Sequence, residues 1–333
     1  MTSITVSAAE LLLHRLQALD VAYIFINSGT DYPPVIEAWA KMRATGQQVP
    51  ELVICPHENA AIGMAHGYYL GSGKVQAVMV HTNVGLANAA CGVINLANSN
   101  IPVLIFGGRT PISEHSHFGC RNTPIGYGQE MRDQAALIRE SVKWDFELRI
   151  ADQVGEHVDR AWAIARSLPK GPVYLSLHRE PLCETFTIDE QALYASPTQQ
   201  PVRYAPTRAD IASAADAIAN ARQPVIFAQR GARTSGGFAR LNTLVKEWAI
   251  PVVEYWGTEV TLSSDNPMLA GSDPKGWLSA ADVIIIIDSQ APWIIEESRC
   301  NESCKVIQIG PDPLFSRYPV RGYRADINLA GET

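Results

Sequence analysis

Short apolar runs alternate with longer amphipathic segments in the first half of the chain. Residues 21–26 and 51–55 are two such runs, each followed by glycine, proline or polar residues, which is the pattern of buried parallel strands. Similar runs lie at 74–81, 102–106 and 171–177. A first helix is predicted after Ser7, a potential N-cap with Glu10 three residues on. This alternation predicts an α/β fold built on a parallel sheet.

The alternation stops at residues 184–208, which are rich in proline and polar residues without a clear period, and then resumes. Strands are predicted at 224–228, 252–255, 281–288 and 305–309, with a helix at 211–221. We therefore predict two doubly wound parallel-sheet domains, residues 1–183 and 209–333, joined by a linker at 184–208. The apolar run 283–287 is far too short to span a bilayer and is typical of a buried strand.

Composition and charge narrow the classes of function. The chain has 333 residues, enough for two cores, and its 18% charged residues are ordinary for a globular protein. A net charge of -7 and the absence of a Lys/Arg cluster argue against nucleic-acid binding. The six cysteines form no Cys-x-x-Cys pair, and the start shows no signal sequence. These features predict a reduced, cytoplasmic protein without a membrane anchor, a disulfide or a metal site.

Candidate chemistry follows three of the predicted strands. Glu58 comes after the strand at 51–55, Asn83 and Gly85 come after the next strand, and Arg109 follows the third. The carboxyl ends of parallel strands meet at one edge of an open sheet, where ligands bind. His57 and Glu58 resemble the start of a zinc-protease helix, but position 61 is alanine where that motif needs a second histidine.

At these residues the chain resembles the N-terminal half of the thiamine-diphosphate enzymes of the acetolactate synthase, benzoylformate decarboxylase and 2-hydroxyacyl-CoA lyase type. The shared elements, in order, are the helix-opening Glu58 with small residues after it, Gly67-Tyr68, the turn 85–88, the small-residue helix 92–97 and the apolar strand ending in glycines at 102–108. Asn83-Val84-Gly85 stands where relatives usually have Gly-Pro-Gly, and Arg109 where they often have glutamine. Both departures concern the substrate and leave the role implied for Glu58 intact.

The resemblance implies a cofactor bound between two chains. The diphosphate of thiamine diphosphate and its Mg²⁺ would lie on the last domain of one chain, and the aminopyrimidine ring on the first domain of another. Glu58 would hydrogen-bond N1′ of that ring and activate the cofactor, with Asn83, Gly85 and Asn88 beside it. The implied reaction is decarboxylation, or carbon–carbon bond formation or cleavage, on a 2-oxo acid. Without the resemblance, Glu58 would be interpreted as a first-turn carboxylate stabilised by the helix dipole.

Other candidate residues have a second interpretation. Thr30 and Asp31 follow the first strand and are candidate substrate contacts, although Asp31 suits a cap of the following helix equally well. His115 and His117 fall in the loop where some family decarboxylases carry proton-transfer histidines, and the alternative is a solvated loop. Arg109 is a candidate for binding a substrate carboxylate, and the alternative is a surface ion pair.

Residues 209–333 are similar to the family's central domain, which in some members binds FAD. The fingerprint Gly-x-Gly-x-x-Gly is absent after its first strand, so a structural domain without a nucleotide is favoured. The family's third domain carries Gly-Asp-Gly and Asn-Asn, which hold Mg²⁺ and the diphosphate, and this chain has neither pair, nor the last helix of the central domain. We therefore expect a fragment or a subunit of a split enzyme, in a homo- or hetero-oligomer with a chain that carries the diphosphate-binding domain.

Two other classes of function remain open at this point. A non-catalytic interaction subunit would keep the fold and the pairing surface without the chemistry. An oxidoreductase that binds a flavin or NAD through the second domain is weakened by the missing glycines. Retention of Glu58 favours the catalytic interpretation, because a scaffold does not need a lone carboxylate at a strand end.

Overall fold

A computed structural model describes residues 3–123 and 127–333. The chain divides into two compact units, Met1–Val202 and Arg203–Thr333. Part of the loop in which the histidine candidates were sought, residues 124–126, lies outside the described residues. Both units are built on parallel sheets flanked by helices, so the predicted α/β class is confirmed.

The first unit alternates strands and helices as the apolar pattern predicted. Its strands are β1 (Ser3–Ser7), β2 (Tyr23–Asn27), β3 (Glu51–Ile54), β4 (Ala77–Val80), β5 (Leu104–Gly108), β6 (Asp145–Leu148), β7 (Val173–Leu177) and β8 (Thr185–Asp189). Its helices are α1 (Ala8–Ala18), α2 (Pro33–Ala44), α3 (Glu58–Ser72), α4 (Thr82–Asn98), α5 (Val154–Arg166), α6 (Arg179–Cys183) and α7 (Glu190–Leu193). Short 3₁₀ turns lie at Tyr127–Gln129, Gln134–Leu137, Arg139–Ser141 and Ala151–Gln153.

The main sheet of this unit has the strand order β3-β2-β4-β5-β7-β6, and every neighbouring pair is parallel. Strands β4, β5 and β7 are buried along their whole length, which explains why they are continuous apolar runs. Burying each large apolar side chain stabilises the fold by about 1.5–3 kcal/mol. All carboxyl ends therefore meet at one edge, as predicted for the ends of β3, β4 and β5.

The helices lie on two faces of this sheet. Strand β3 lies on one side of β2 and strand β4 on the other, so right-handed crossovers place α2 on one face and α3 on the opposite face. Helices α3 and α4 pack against each other, whereas α1 packs against α2, α5 and α6. Helix α1 begins with the predicted capping box, in which Ser7 and Glu10 hydrogen-bond each other's backbone N–H groups.

The segment predicted as a linker contains ordered structure. Strand β8 pairs antiparallel with β1, the two lie side by side along their whole lengths, and α7 follows directly. Phe186 and Ile188 pack against the core of the first unit. These two apolar residues alternate with polar ones, which is the pattern of a half-buried strand. The stretch interpreted as lacking a period therefore contains a short period of two.

The second unit is a smaller doubly wound sheet. Its strands are β9 (Pro224–Ala228), β10 (Val252–Val253), β11 (Val283–Ile287), β12 (Lys305–Gly310) and β13 (Ile327–Ala330), and its helices are α8 (Arg208–Ala219), α9 (Ser235–Glu247) and α10 (Lys275–Ala280). The order β10-β9-β11-β12-β13 is parallel throughout and reverses direction between β9 and β11. In neither unit does a helix of the described residues have the length and apolarity needed to cross a membrane.

Candidate active site

Glu58 is the first residue of α3, at the carboxyl edge of the first sheet, and it is only 5% exposed. Its Oε2 atom accepts a hydrogen bond of 3.0 Å from Nδ2 of Asn88, on the neighbouring α4. Among the described residues, no group donates a hydrogen bond to Oε1 of Glu58. The carboxylate is thus fixed through one oxygen, and the other oxygen is available to a ligand.

Gly85 lies directly beside this available oxygen. A Cβ atom at Gly85 would stand 2.9 Å from Oε1 of Glu58, closer than side chains pack, so only glycine leaves this oxygen uncovered. Gly85 and Asn88 are three residues apart on α4, which places them on the same face of that helix. The structure thus brings Glu58, Gly85 and Asn88 together.

A second pair of ionisable side chains lies at the same edge. Oδ1 of Asp31, in the turn after β2, is 2.7 Å from Nδ1 of His81, which follows β4. Oδ2 of Asp31 accepts from the backbone N–H of Thr82, the first residue of α4, at 3.1 Å. The alternative that Asp31 caps the helix after it is therefore wrong: α2 begins at Pro33 without a side-chain cap, and Asp31 stabilises the start of α4 instead.

His81 is the functional candidate that the sequence analysis missed. Its hydrogen bond to Asp31 raises the pKa of the imidazole, burial opposes the rise, and the negative charges of Asp31 and Glu58 add to it. Nε2 of the ring lies 3.2 Å from the side-chain nitrogen of Gln129. Its position in the sequence could have indicated this role. His81 directly follows an apolar strand, and so does the loop that leads to Glu58.

Glycines also make room for this pair. A Cβ atom at Gly108 would overlap the carboxylate of Asp31, and one at Gly29 would overlap the ring of His81. Beneath them, the hydroxyl of the fully buried Tyr32 lies 3.1 Å from the carbonyl oxygen of Val80. The turn that carries Asp31 is thereby attached to the end of β4.

The start of α4 is strained and contains unused polar atoms. Thr82 has a φ of +41°, a conformation that costs a β-branched residue about 1–3 kcal/mol and is found mainly at functional sites. Its Oγ1 atom is buried without a hydrogen-bond partner among the described residues, as is Oδ1 of Asn83. Nδ2 of Asn83 donates to the carbonyl oxygen of Gly128 at 3.0 Å. Asn83 therefore contacts the 3₁₀ turn beside the site, and one of its polar atoms is unused.

Arg109 is already bound within the chain. It is 6% exposed, its guanidinium forms ion pairs with Glu130 and with Glu147, and Nη2 donates to the carbonyl oxygen of Met131 at 2.7 Å. The ion pair that was the alternative interpretation is present, although it is buried rather than on the surface. Binding a substrate carboxylate through Arg109 would require these contacts to break.

The remaining candidates are exposed residues of loops. Thr30 is exposed at the tip of the turn after β2. His115 is exposed, and its Nδ1 lies 2.8 Å from the hydroxyl of Ser116. His117 is exposed and lines a cavity against α2 and α6, on the sheet face opposite α3. The structure does not bring either loop histidine into hydrogen-bond contact with Glu58, Asp31 or His81.

Buried ion pairs lie at the switch point of the second sheet, at its carboxyl edge. Arg230, after β9, contacts Asp288, after β11, at 3.1 Å, and each is at most 3% exposed. Arg233 pairs with Glu259 at 2.8 Å. Burial raises the pKa of Asp288, and the two arginines oppose the rise. Doubly wound sheets bind nucleotides at this point, so these charged side chains lie where a nucleotide would bind in such a fold.

No metal-binding cluster was predicted. Across residues 3–123 and 127–333, no three His, Cys, Asp or Glu side chains converge as a set of metal ligands. All six cysteines are free thiols.

Comparison with known protein families matches both units. Residues 6–137 match the model of the thiamine pyrophosphate enzyme N-terminal TPP-binding domain, and residues 211–331 match the model of the central domain of the same enzymes. The first match contains Asp31, Glu58, His81 and Asn88, and the second contains the ion pairs of the second sheet.

Curated relatives and solved structures agree with these matches. The chain is 27% identical over 267 residues to a probable 2-ketoarginine decarboxylase of Pseudomonas aeruginosa, covering 78% of this chain and 46% of the relative. It is 25% identical over 335 residues to the acetolactate synthase large subunit of Haemophilus influenzae, covering 94% and 54%. The chain thus spans about half the length of these relatives.

Two solved structures share the fold at low identity. The benzoylformate decarboxylase of Polynucleobacter necessarius superposes with a TM-score of 0.79 at 19% identity, covering 98% of this chain and 59% of the other. The 4-hydroxybenzoylformate decarboxylase of Rhodococcus jostii gives 0.77 at 20% identity, covering 97% and 60%.

Proposed function

Because this chain belongs to the thiamine pyrophosphate enzyme family, we propose that its first unit binds the aminopyrimidine ring of thiamine diphosphate at Glu58, in an enzyme that acts on a 2-oxo acid. One observation carries the proposal. Glu58 is buried at a strand end, held by Asn88 through Oε2, and its Oε1 faces the glycine at position 85. The substrate class rests on the names of the relatives, since 2-ketoarginine and benzoylformate are 2-oxo acids.

The residues around Glu58 fit a flat, nitrogen-rich ring. Oε1 of Glu58 would hydrogen-bond N1′ of the ring, and Gly85 leaves space beside that oxygen. The unpartnered Oδ1 of Asn83 and Oγ1 of Thr82 are further polar atoms at the start of the same helix. We propose that Asn83, Gly85 and Asn88 form the wall of this subsite.

When bound, thiamine diphosphate supplies the electron sink that lets the bond next to the substrate's keto group break. The task of Glu58 is to hold a proton between Oε1 and N1′, and Asn88 keeps the carboxylate in the orientation that this requires. Burial assists, because a hydrogen bond that is shielded from water is stronger than an exposed one.

We assign proton transfer on the substrate side to His81. The hydrogen bond that Nδ1 donates to Asp31 fixes the ring and favours its protonated form. Nε2, which lies 3.2 Å from the side-chain nitrogen of Gln129, is then the atom that would donate or accept a proton at the substrate. Thr30, exposed at the tip of the turn, remains a candidate substrate contact. His115 and His117 would need a rearrangement of their loop to take part.

Magnesium and the diphosphate are proposed to bind to a second chain or to a further domain. The surface that such a partner would cover is the outer side of α3 and α4, where small residues alternate with exposed apolar ones. Met64 and Leu70 on α3 are 45% and 49% exposed, and Val84 and Ile94 on α4 are 48% and 49% exposed. Large exposed apolar surfaces of this kind favour association with another chain. The six free thiols fit a cytoplasmic location.

Calorimetry and turnover test the proposal. Thiamine diphosphate with Mg²⁺ is titrated into this chain alone and into the chain co-expressed with a partner that carries the diphosphate-binding domain. We expect tight binding in the second case only, and turnover of a 2-oxo acid that falls about 10²–10⁴-fold in Glu58→Gln. Glu37→Gln, an exposed carboxylate on α2, is the matched control and should change neither quantity. Equal turnover in Glu58→Gln and the wild type would overturn the role of Glu58.

A non-catalytic interaction subunit is the second candidate, and the exposed apolar surface of α3 and α4 is the observation in its favour. It predicts that the assembled complex binds the cofactor and turns over equally well with Glu58→Gln. The same experiment therefore separates the two functions, because assembly is common to both and dependence on Glu58 belongs to the catalytic one.

A further inference from the structure

A cavity of about 590 Å³ lies on the face of the first sheet opposite α3 and α4. Helices α1, α2 and α6 and the loop around Phe118 enclose it. This volume falls within the range of small-molecule sites in proteins, about 300–1,000 Å³. Glu58, His81 and Asn88 do not line it, so the cavity is separate from the site proposed for the cofactor.

Arg179 is the unusual residue of this cavity. The residue is only 7% exposed, and its atom Nε is buried without a hydrogen-bond partner among the described residues. Its one hydrogen bond within that part of the chain is a long contact of 3.4 Å from Nη1 to Oδ1 of Asn122. A buried guanidinium normally has several partners, because removing a charge from water is costly. The buried Nε of Arg179 therefore requires an acceptor from elsewhere, and Nη2 donates in none of the hydrogen bonds of the described residues.

The charges near Arg179 do not supply this acceptor. Glu10 is bound to Lys41 at 2.7 Å, and Glu37 is exposed on α2. Glu180, the next residue in the chain, accepts hydrogen bonds from the backbone and the hydroxyl of Ser113 through Oε1. In the described chain, none of these carboxylates forms an ion pair with Arg179.

The shape and the lining define what would bind. The Nε–Nη2 edge of a guanidinium matches the two oxygens of a carboxylate. The rest of the lining is largely apolar, with Pro33, Ala38, Phe118 and Leu182. We propose that this cavity binds a small monocarboxylate with an apolar tail, its carboxylate on Arg179 and its tail against Phe118 and Leu182.

The cavity lies close in the chain to the turn that carries Asp31. Pro33 and Pro34 line the cavity, and Asp31, two residues before Pro33, holds His81. The binding itself is independent of the proposed enzymatic activity, and it is tested without cofactor or partner.

Hexanoate is the probe, titrated into the full chain and followed by calorimetry and by ligand-observed NMR. We expect saturable binding of one hexanoate per chain, and binding of the neutral hexanamide that is weaker by about 10- to 100-fold, the effect of losing a hydrogen-bonded charge. This comparison uses the wild-type protein, so it stands even if a variant at the buried Arg179 does not fold. Equal binding of hexanoate and hexanamide, or no saturable binding of hexanoate, would overturn the proposal.

Two variants locate the site. Arg179→Met keeps the length and removes the charge, and it should weaken hexanoate binding by the same factor as the change to hexanamide. Phe118→Ala alters a residue that is 85% exposed, so the fold should tolerate it, and it should weaken hexanoate while leaving the weaker binding of acetate unchanged. Arg43→Gln removes an exposed arginine of α2 bound to Glu51 and is the matched control. Unaltered hexanoate affinity in Arg179→Met would contradict the assignment of the carboxylate to Arg179.

Discussion

The two sheets place an ion pair at the same topological point and use it differently. In each sheet the order reverses between the first and third strands of the doubly wound series, β2 and β4 in one and β9 and β11 in the other. Asp31 meets His81 across the first point at 2.7 Å, and Arg230 meets Asp288 across the second at 3.1 Å. A non-glycine residue at positive φ stands at each, Thr82 at +41° and Asp288 at +38°.

The difference is in what the cation can do. An arginine stays charged at any pH that a protein experiences, and this one is almost completely buried, so the pair in the second sheet is fixed. The His81 side chain is 20% exposed, and its pKa is raised by Asp31 but remains that of a group that can gain or lose a proton, so the pair in the first sheet can exchange a proton with a ligand. The same fold thus provides a structural ion pair in one unit and a titratable one in the other.

The largest effect is expected from breaking the fixed pair. Asp288→Ala removes a buried carboxylate that pairs with Arg230, and it should lower the free energy of unfolding of the second unit by up to about 3–5 kcal/mol. Urea denaturation followed by the tryptophans of that unit measures the change. Arg324→Ala removes an exposed ion pair with Asp326 in the same unit and should change little. A small effect of Asp288→Ala would mean that the pair is more hydrated than its burial indicates.

A glycine ends a strand next to each ion pair, and the two glycines should respond differently to substitution. A Cβ at Gly108, the last residue of β5, would overlap Asp31, whereas a Cβ at Gly310, the last residue of β12, would make an ordinary contact with Asp288 at 3.5 Å. Gly108→Ala should therefore destabilise the first unit by about 1–3 kcal/mol and displace Asp31 from His81. Gly310→Ala should be close to neutral, and thermal unfolding of both variants distinguishes them. Similar melting temperatures for the two would show that the turn of Asp31 moves freely.

The apolar pattern predicted most of the fold because central parallel strands are buried on both sides. The strand predicted at 224–228 has the observed bounds, and the predicted strand at 281–288 contains β11. Strand β6 was missed, since Asp145 and Glu147 alternate with Phe146 and Leu148 in an edge strand of only four residues. A short alternating run of this kind is indistinguishable from a loop without its neighbours.

The sequence could group residues of the candidate site only where they lie on neighbouring elements of the chain. Glu58, Gly85 and Asn88 lie on two adjacent helices that the resemblance already connected. Asp31 and His81 are 50 residues apart, and only the pairing of β2 with β4 brings them together. For the same reason the partners of Arg109 could not be seen, because Glu147 lies on the strand that was missed. Long-range electrostatic partners require the sheet order, which local patterns do not contain.

The smallest change in stability is expected from a variant of the titratable pair, Asp31 and His81. Asp31→Asn removes the group that contributes most to raising the pKa of His81, so the imidazole should titrate closer to its ordinary value, as NMR of the ring protons would record. His14 in α1, whose pKa burial lowers, is an internal control and should not change.

The same variant should also change how the free energy of unfolding depends on pH. His81 has a higher pKa in the folded chain than in the unfolded one, so its contribution to stability is fully present below the unfolded pKa and is lost as the pH rises through the folded pKa. The wild type should therefore exceed Asp31→Asn in unfolding free energy by more at about pH 6 than at about pH 9, with a difference of about 1 kcal/mol or less because His81 is partly exposed. Groups that do not interact with Asp31 titrate equally in both proteins and cancel. The variant places a neutral amide instead of a carboxylate at the N–H of Thr82, which lowers its stability at every pH, so a gap that did not change with pH would assign the role of Asp31 to the start of α4 alone.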